Sequence, residues 1–272
     1  MSKIEWTEKT INTISGCTQI SEGCKNCYAK RMHSRLMAMQ QKKYAKPFSE
    51  IVTHNIGKEF KKVIKKNTKT IFINSMSDTF HKDVSAFYIG SLLYEISEYP
   101  DINFQILTKR AERINNFEYP KNVWLGVTVE NELHKDRIEC LRKTNAKIKF
   151  LSCEPLLNDL GKLDLSGIDW VIVGGESGIN ARPMKYEWVK NIQKQCKEQN
   201  VAFFFKQWGE WCPAKQIDYD LIKDKFYVYE TENNTGILLN VEIKRDYGYK
   251  VGKKYAGSLL DGQHYKEYPK IK

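Results

Sequence analysis

Several signatures of common enzymes are missing from this sequence. Histidines number five in 272 residues, and no nucleophile-elbow motif sets a serine at a strand-to-helix turn, so nothing supports a Ser/His/Asp hydrolase. The glycine-rich stretch Gly174-Gly175-Glu176-Ser177-Gly178 has neither the spacing of a dinucleotide fingerprint nor the lysine of a phosphate loop. No run is long and apolar enough to span a bilayer, and the start Met1-Ser2-Lys3-Ile4-Glu5-Trp6 has no apolar signal core. Internal repeats and low-complexity segments are also lacking. These absences leave the expectation of a soluble, cytoplasmic protein with no membrane partner.

What is present suffices for a full core: 41% hydrophobic and 12% aromatic residues suit one large α/β domain, or a domain with an appendage. The net charge of +11 permits attraction to a nucleic acid or nucleotide. Because lysines are spread along the whole chain, a solvated basic surface explains the charge almost as well. Apolar runs at Thr70–Asn74, Phe104–Thr108, Val123–Val127, Ile148–Ser152, Trp170–Gly174 and Val201–Phe205 read as parallel strands covered on both faces. Between them Ser85–Tyr99, Leu133–Lys143 and Tyr186–Gln199 carry helical spacing. The alternation argues for a parallel α/β array, barrel-like or doubly wound, with its site at the carboxyl ends of the strands. After Trp208 the pattern changes. Lys225–Glu230 and Ile237–Val241 flank a turn-like Glu232–Gly236 and read as a hairpin, dividing the chain into 1–208 and a C-terminal extension 209–272.

Seven cysteines are present. Cys140, Cys153, Cys196 and Cys212 are scattered singly and read as buried reduced thiols. The other three, Cys17, Cys24 and Cys27, form a C-x6-C-x2-C cluster in which Gly16 and Gly23 precede the first two. Three such thiolates can face one metal centre. Completed by His33 they would make a closed Cys3His zinc site; left with an open position they suit an iron–sulfur cluster, and spacing alone does not separate the two. A helix follows, with Tyr28, Met32, Leu36 and Met39 on one face and Lys30, Arg31 and Arg35 largely on the other.

Polar residues gather just past the strands. Ser75, Ser77 and Asp78 are either site residues or the cap of a helix starting near Phe80, and His81 is either a nearby polar site residue or an exposed histidine at that helix start. Lys109 and Arg110 can grip a carboxylate or phosphate, or form a basic turn. Thr128, Glu130 and Glu154 can bind hydroxyls or an amine, or be paired ions. Gly174 and Gly175 let backbone approach a ligand closely, with Glu176 and Ser177 beside them. Arg182 and Lys206 add positive charge. Gln207 and Trp208 can meet an adenine or base, although Trp208 and Trp211 also suit a core.

With these residues in view, the sequence resembles a phage-associated three-cysteine-motif family placed near the radical S-adenosylmethionine enzymes, distantly similar to spore photoproduct lyase. The resemblance runs through Gly16-Cys17-Thr18, Gly23 to Ala29, Asn74 to His81, Leu107 to Arg110, Leu125 to Asn131, Ser152 to Leu157 and Gly174 to Gly178. It continues in Ala181-Arg182-Pro183, Phe205 to Gly209 and Ala256 to Gly262. The larger group's usual C-x3-C-x2-C spacing is stretched here, and the aromatic Tyr28 follows the last cysteine instead of preceding it. The resemblance implies a partial (β/α) TIM-like barrel of parallel strands with a small C-terminal β-hairpin appendage. It further implies that Cys17, Cys24 and Cys27 hold a 4Fe–4S cluster whose fourth iron takes S-adenosylmethionine. Ser75, Ser77, Asp78, Lys109, Thr128, Glu130, Glu154, Gly174, Gly175, Glu176, Ser177, Arg182 and Lys206 would build the cofactor and substrate pocket. Radical chemistry on a nucleic acid or nucleotide-like substrate, fed by an electron donor, would follow. The alternative is a zinc-stabilised nucleic-acid-binding protein without redox chemistry.

Overall fold

The computed structural model describes residues 4–218, 227–231, 234–238, 243–244 and 248–270. Its central sheet holds β1 (Lys9–Ile11), β2 (Thr70–Ile73), β3 (Asn103–Thr108), β4 (Val123–Thr128), β5 (Ile148–Cys153), β6 (Trp170–Gly174) and β7 (Ala202–Gln207). Neighbours are parallel and run in chain order from β1 to β7. The order never reverses, so there is no switch point of the doubly wound kind; the sheet curls into a half-barrel. β1 has only three residues, two of them polar, which is why the apolar pattern did not announce it.

Each strand divides its side chains between two cores, as the two-residue period requires. Ile71, Ile73, Leu125, Val127, Val171, Val173, Phe203 and Phe205 join the helices in the large outer core. Phe72, Trp124, Ile148, Phe150, Trp170, Ile172 and Phe204 turn inward and pack with Trp6 in a second, aromatic cluster. Fully burying one such side chain contributes about 1.5–3 kcal/mol. This cluster fills the concavity, and its space is matched to glycine at Gly126, where a Cβ would stand 2.4 Å from the Phe150 ring. Continuing the inward rows towards the carboxyl ends brings Thr128, Ser152, Gly174 and Lys206 to the rim.

The helices are α1 (Tyr28–Ala38), α2 (Ile56–Val63), α3 (Ala86–Ser97), α4 (Asp136–Arg142) and α5 (Tyr186–Glu198). Ser85 caps α3 by accepting from the Tyr88 amide, and Asn55 caps α2 through Lys58. No helix begins at Phe80; that segment is a turn. Of the apolar face expected of α1, Leu36 packs inward, half-buried. α1 buries Ala29 and His33 and leaves Tyr28, Met32 and Met39 exposed, because the chain from Tyr44 to Phe48 packs on the His33 side.

The C-terminal hairpin is present as β8 (Tyr227–Thr231) and β9 (Asn234–Leu238), antiparallel, with Tyr227 opposite Leu238. Its connection is shorter than expected: Asn234, Thr235 and Gly236 belong to the strand, while Lys225, Phe226 and 239–241 lie outside the described residues. Cys212, Val251, Ala256 and Leu260 join the large core. Among the described residues no helix is long and apolar enough to cross a membrane.

Candidate functional site

The segment from Gly16 to Cys27 crosses the carboxyl ends of the strands and is fastened there at nearly every step. Gly16 bridges to Ser77, whose hydroxyl donates to the Gly16 carbonyl. Only glycine fits: φ is +88°, and a Cβ would lie 2.1 Å from the Glu50 carbonyl oxygen. Arg110 donates to the Thr18 carbonyl at 2.8 Å and to its hydroxyl at 3.1 Å, and His81 Nε2 lies 2.7 Å from that hydroxyl. The Ser21 hydroxyl donates to Glu130. Arg182 donates to the Glu22 carbonyl, and Asn26 donates to Glu176 at 2.9 Å. Past the last cysteine, Tyr28 donates to the Ser75 carbonyl and Arg31 to that of Ser177.

Behind these bonds stand three buried or half-buried carboxylate–arginine pairs. Asp78 accepts from Arg110 at 3.0 Å, and also from Thr108 and the amides of Phe80 and Lys109. Glu130, fully buried, accepts from Arg137 at 2.8 Å and has Lys109 Nζ at 3.7 Å. Arg182 grips Glu176 with two nitrogens, at 2.6 and 2.9 Å. Burial alone would raise both glutamates, but Lys109, Ser21 and Arg137 hold Glu130 below the usual carboxylate range, and Arg182 and Asn26 do the same for Glu176.

The cysteines themselves are free and each partly exposed. Arg110 points a guanidinium nitrogen at Cys17 Sγ, 3.7 Å away. Burial, aided by Asp78 and Cys24, pushes the Cys17 thiol up to about 11 against the pull of Arg110. Cys24 Sγ lies 3.7 Å from the Ser21 hydroxyl. Cys27 is the N-cap residue of α1, so the positive end of that helix dipole faces the loop and favours negative charge there. His33 is buried with its Nε2 donating to the Lys46 carbonyl and its ring edge-on to Tyr44 and Phe48. Among the described residues no three His, Cys, Asp or Glu side chains stand close enough to hold an ion.

A second group lies on the concave rim. Glu154 pairs with Lys206 at 2.8 Å and accepts from the Ser152 hydroxyl at 3.2 Å. Gly174 leaves room for it, since a Cβ there would meet Glu154 Oε1 at 2.9 Å. Thr128 completes this rim on β4. The expected site residues therefore separate. Ser75, Ser77, Asp78, Glu130, Glu176, Ser177 and Arg182 clamp the cysteine loop; Thr128, Glu154, Gly174 and Lys206 stand together on the rim; Lys109 reaches Glu130. Gly175 lies where the Trp208 backbone passes, 1.9 Å from a would-be Cβ.

Two readings are corrected. His81 is fully buried, held beside Thr18, and does not begin a helix. Trp208 is 1% exposed and donates to the Leu259 carbonyl, so it packs in the core and is not free to meet a base. Gln207 is buried and donates from Nε2 to the Gly175 carbonyl, while its Oε1 has no partner among the described residues. Thr18, Ser21 and Asn26 fasten the loop and Arg137 braces Glu130 beneath it, contacts that spacing did not mark. Arg110 had a signal, its place beside Lys109 at a strand end.

Fold and loop define a class: a parallel α/β half-barrel whose strand ends bind down a three-cysteine loop. Within it, residues 1–269 match the family described as a protein of unknown function, DUF5131, and the chain belongs to that family. No curated protein and no solved structure matches it.

Proposed function

We propose that this protein binds a 4Fe–4S cluster through Cys17, Cys24 and Cys27 and S-adenosylmethionine on the neighbouring rim, and acts as a radical enzyme on a nucleotide-like substrate. One observation carries the reading: three free thiols lie on a loop clamped across the carboxyl ends of a parallel half-barrel, where such folds build their sites. The donor set fits a cluster in kind, with three thiols and a guanidinium directed at one sulfur. Gathering the three sulfurs is the step that ligation itself must drive.

When bound, cluster and cofactor supply one-electron cleavage of a carbon–sulfur bond. The chain's residues do the rest. Arg110, braced by Asp78, holds Thr18 and places its charge beside Cys17. Ser21 and Asn26, anchored on Glu130 and Glu176, fix the two ends of the stretch that carries Cys24. On the rim, Glu154 and Lys206 would offer opposite charges to the amino and carboxylate groups of the cofactor. The aromatic cluster beneath keeps water out of the concavity. A zinc site would need a fourth ligand, and His33 directs one nitrogen at the Lys46 carbonyl.

The test is anaerobic reconstitution with iron and sulfide, then iron, sulfide and zinc analysis and a search for 5′-deoxyadenosine after adding reductant and S-adenosylmethionine. Uptake of a cluster that is lost in Cys24→Ala, with cofactor cleavage, is the expected result. Stoichiometric zinc without cluster uptake sinks the reading.

A further inference from the structure

Helix α1 has an outer surface that its fold does not require. From Lys25 to Lys46 the chain holds seven lysines and arginines and no acidic residue. Lys43 and Lys46 are paired with Glu59 and Glu50, and Arg31 donates to the Ser177 carbonyl. Lys25, Lys30, Arg35 and Lys42 take part in no ion pair among the described residues. Among these cations stand exposed apolar side chains: Tyr28 is 52% exposed, Met32 42% and Met39 58%. Spaced by four and seven residues, the three share one stripe of the helix.

This surface works against the helix that carries it. Lys30 and Arg31 stand in the first turn, at the positive end of the dipole, and Arg31 and Arg35 are like charges one turn apart. Ala29 and His33 are buried, Leu36 packs half-buried beside them and Tyr28 donates to the Ser75 carbonyl, but folding gives the exposed Met32 and Met39 no such role.

We propose that the α1 face docks an acidic one-electron carrier protein, which reduces the bound cluster; this rests on the cluster reading above. Exposed apolar side chains set among cations match the anatomy of a protein interface, and methionines adapt well to a partner's surface. A nucleic acid would use the cations but gain little from covering methionines, since such interfaces are polar. Position agrees. The helix starts at the last cysteine, and Met32 lies about 7 Å further along its axis, so a carrier seated on the first turns is beside the loop. In the step itself the carrier is oxidised by one electron and the cluster is reduced by one; no atom is transferred.

The experiment uses the full reconstituted chain and a reduced, acidic [2Fe–2S] ferredoxin as probe, with cluster reduction followed by stopped-flow absorbance. Lys30→Glu/Arg35→Glu should slow ferredoxin-driven reduction about tenfold at about 50 mM salt, the difference closing near 500 mM, because rim charges act on the encounter. Its reduction by dithionite should be unchanged. Met32→Ser/Met39→Ser should slow the ferredoxin reaction at both salts. Ferredoxin-driven rates equal to wild type in both variants overturn the proposal. So does a charge-reversed chain that loses affinity for a single-stranded DNA oligonucleotide while keeping its ferredoxin rate, which would make this a nucleic-acid face. If the wild type takes up no cluster, the cluster reading fails separately. Ferredoxin binding to the apo chain, read by fluorescence anisotropy, then decides the surface: weakening on charge reversal supports it and equal binding overturns it.

Discussion

Replacing Arg110 by methionine tests the brace under the cysteine loop. The Arg110 and Asp78 side chains are 5% and 8% exposed and meet at 3.0 Å. Removing one partner of a buried pair costs about 3–5 kcal/mol, because the other charge is stranded. Asp78 would keep three donors, the Thr108 hydroxyl and the amides of Phe80 and Lys109, which argues for the lower half of that range. The two bonds to Thr18 are lost as well, at about 1 kcal/mol each. We expect Arg110→Met to lose about 5 kcal/mol in urea unfolding, a midpoint shift of about 1.7 M for a slope near 3 kcal/mol/M. Asp78→Asn in the same background removes the stranded charge, so the double variant should regain about half of the loss. Amide exchange from Cys17 to Cys24 should quicken in the single variant, since Thr18 is released. A loss below about 1 kcal/mol, or a double variant no more stable than the single one, would refute the reasoning.

Other outcomes follow from separate parts of the molecule. Gly126→Ala should destabilise by about 1–3 kcal/mol through overlap with the Phe150 ring, as measured by urea midpoint; a neutral result would mean the aromatic cluster is loosely packed. Burial pushes the Cys196 thiol up to about 12 from an ordinary 9.0, so its contribution to stability is complete below pH 9 and declines as pH rises towards 12. Cys196→Ala should therefore flatten the loss of stability between pH 9 and the upper limit of measurement, and an unchanged slope counts against it. At the acid end the sign reverses. Glu176 is held below its ordinary value, so the stability it confers is present above that value and lost as pH falls through the depressed one; Glu176→Gln should remove this part of the acid dependence. Lys206→Met should weaken S-adenosylmethionine binding about tenfold by calorimetry, the worth of one charge-assisted hydrogen bond, with iron content unchanged.

The six longer strands were legible because each is an apolar run bounded by turn residues, and their ends stand within a residue or two of the expected places. The polar residues after them were legible as a group for the same reason: a strand end puts its next residues at one rim. Their roles were not. Whether Asp78 faces a ligand or a loop depends on Arg110, Thr108 and Thr18, which lie 30, 32 or 60 residues away, and no local pattern records that pairing. Helix α1 misled for a related reason. Periodicity identifies an apolar face but does not say that it turns inward, and here His33, the candidate fourth zinc ligand, takes a core position.

The chemistry of the ion pairs sorts the strand ends into two kinds. After β2, β4 and β6 the carboxylates Asp78, Glu130 and Glu176 are each matched to an arginine, and each pair reaches the cysteine loop. After β5 the carboxylate Glu154 is matched to a lysine on β7, and among the described residues that pair makes no hydrogen bond to the loop. The difference suits two tasks. A guanidinium offers a rigid fork that fixes geometry, whereas a lysine is a mobile point charge on a flexible stem. The arginine pairs are thus fit to hold backbone in place permanently, while Glu154 and Lys206 can part when a zwitterion supplies a partner to each. By that logic Lys206→Arg should be worse for ligand exchange than its conserved charge implies: it would lock Glu154 as Arg182 locks Glu176, keeping the fold intact while lowering cofactor affinity.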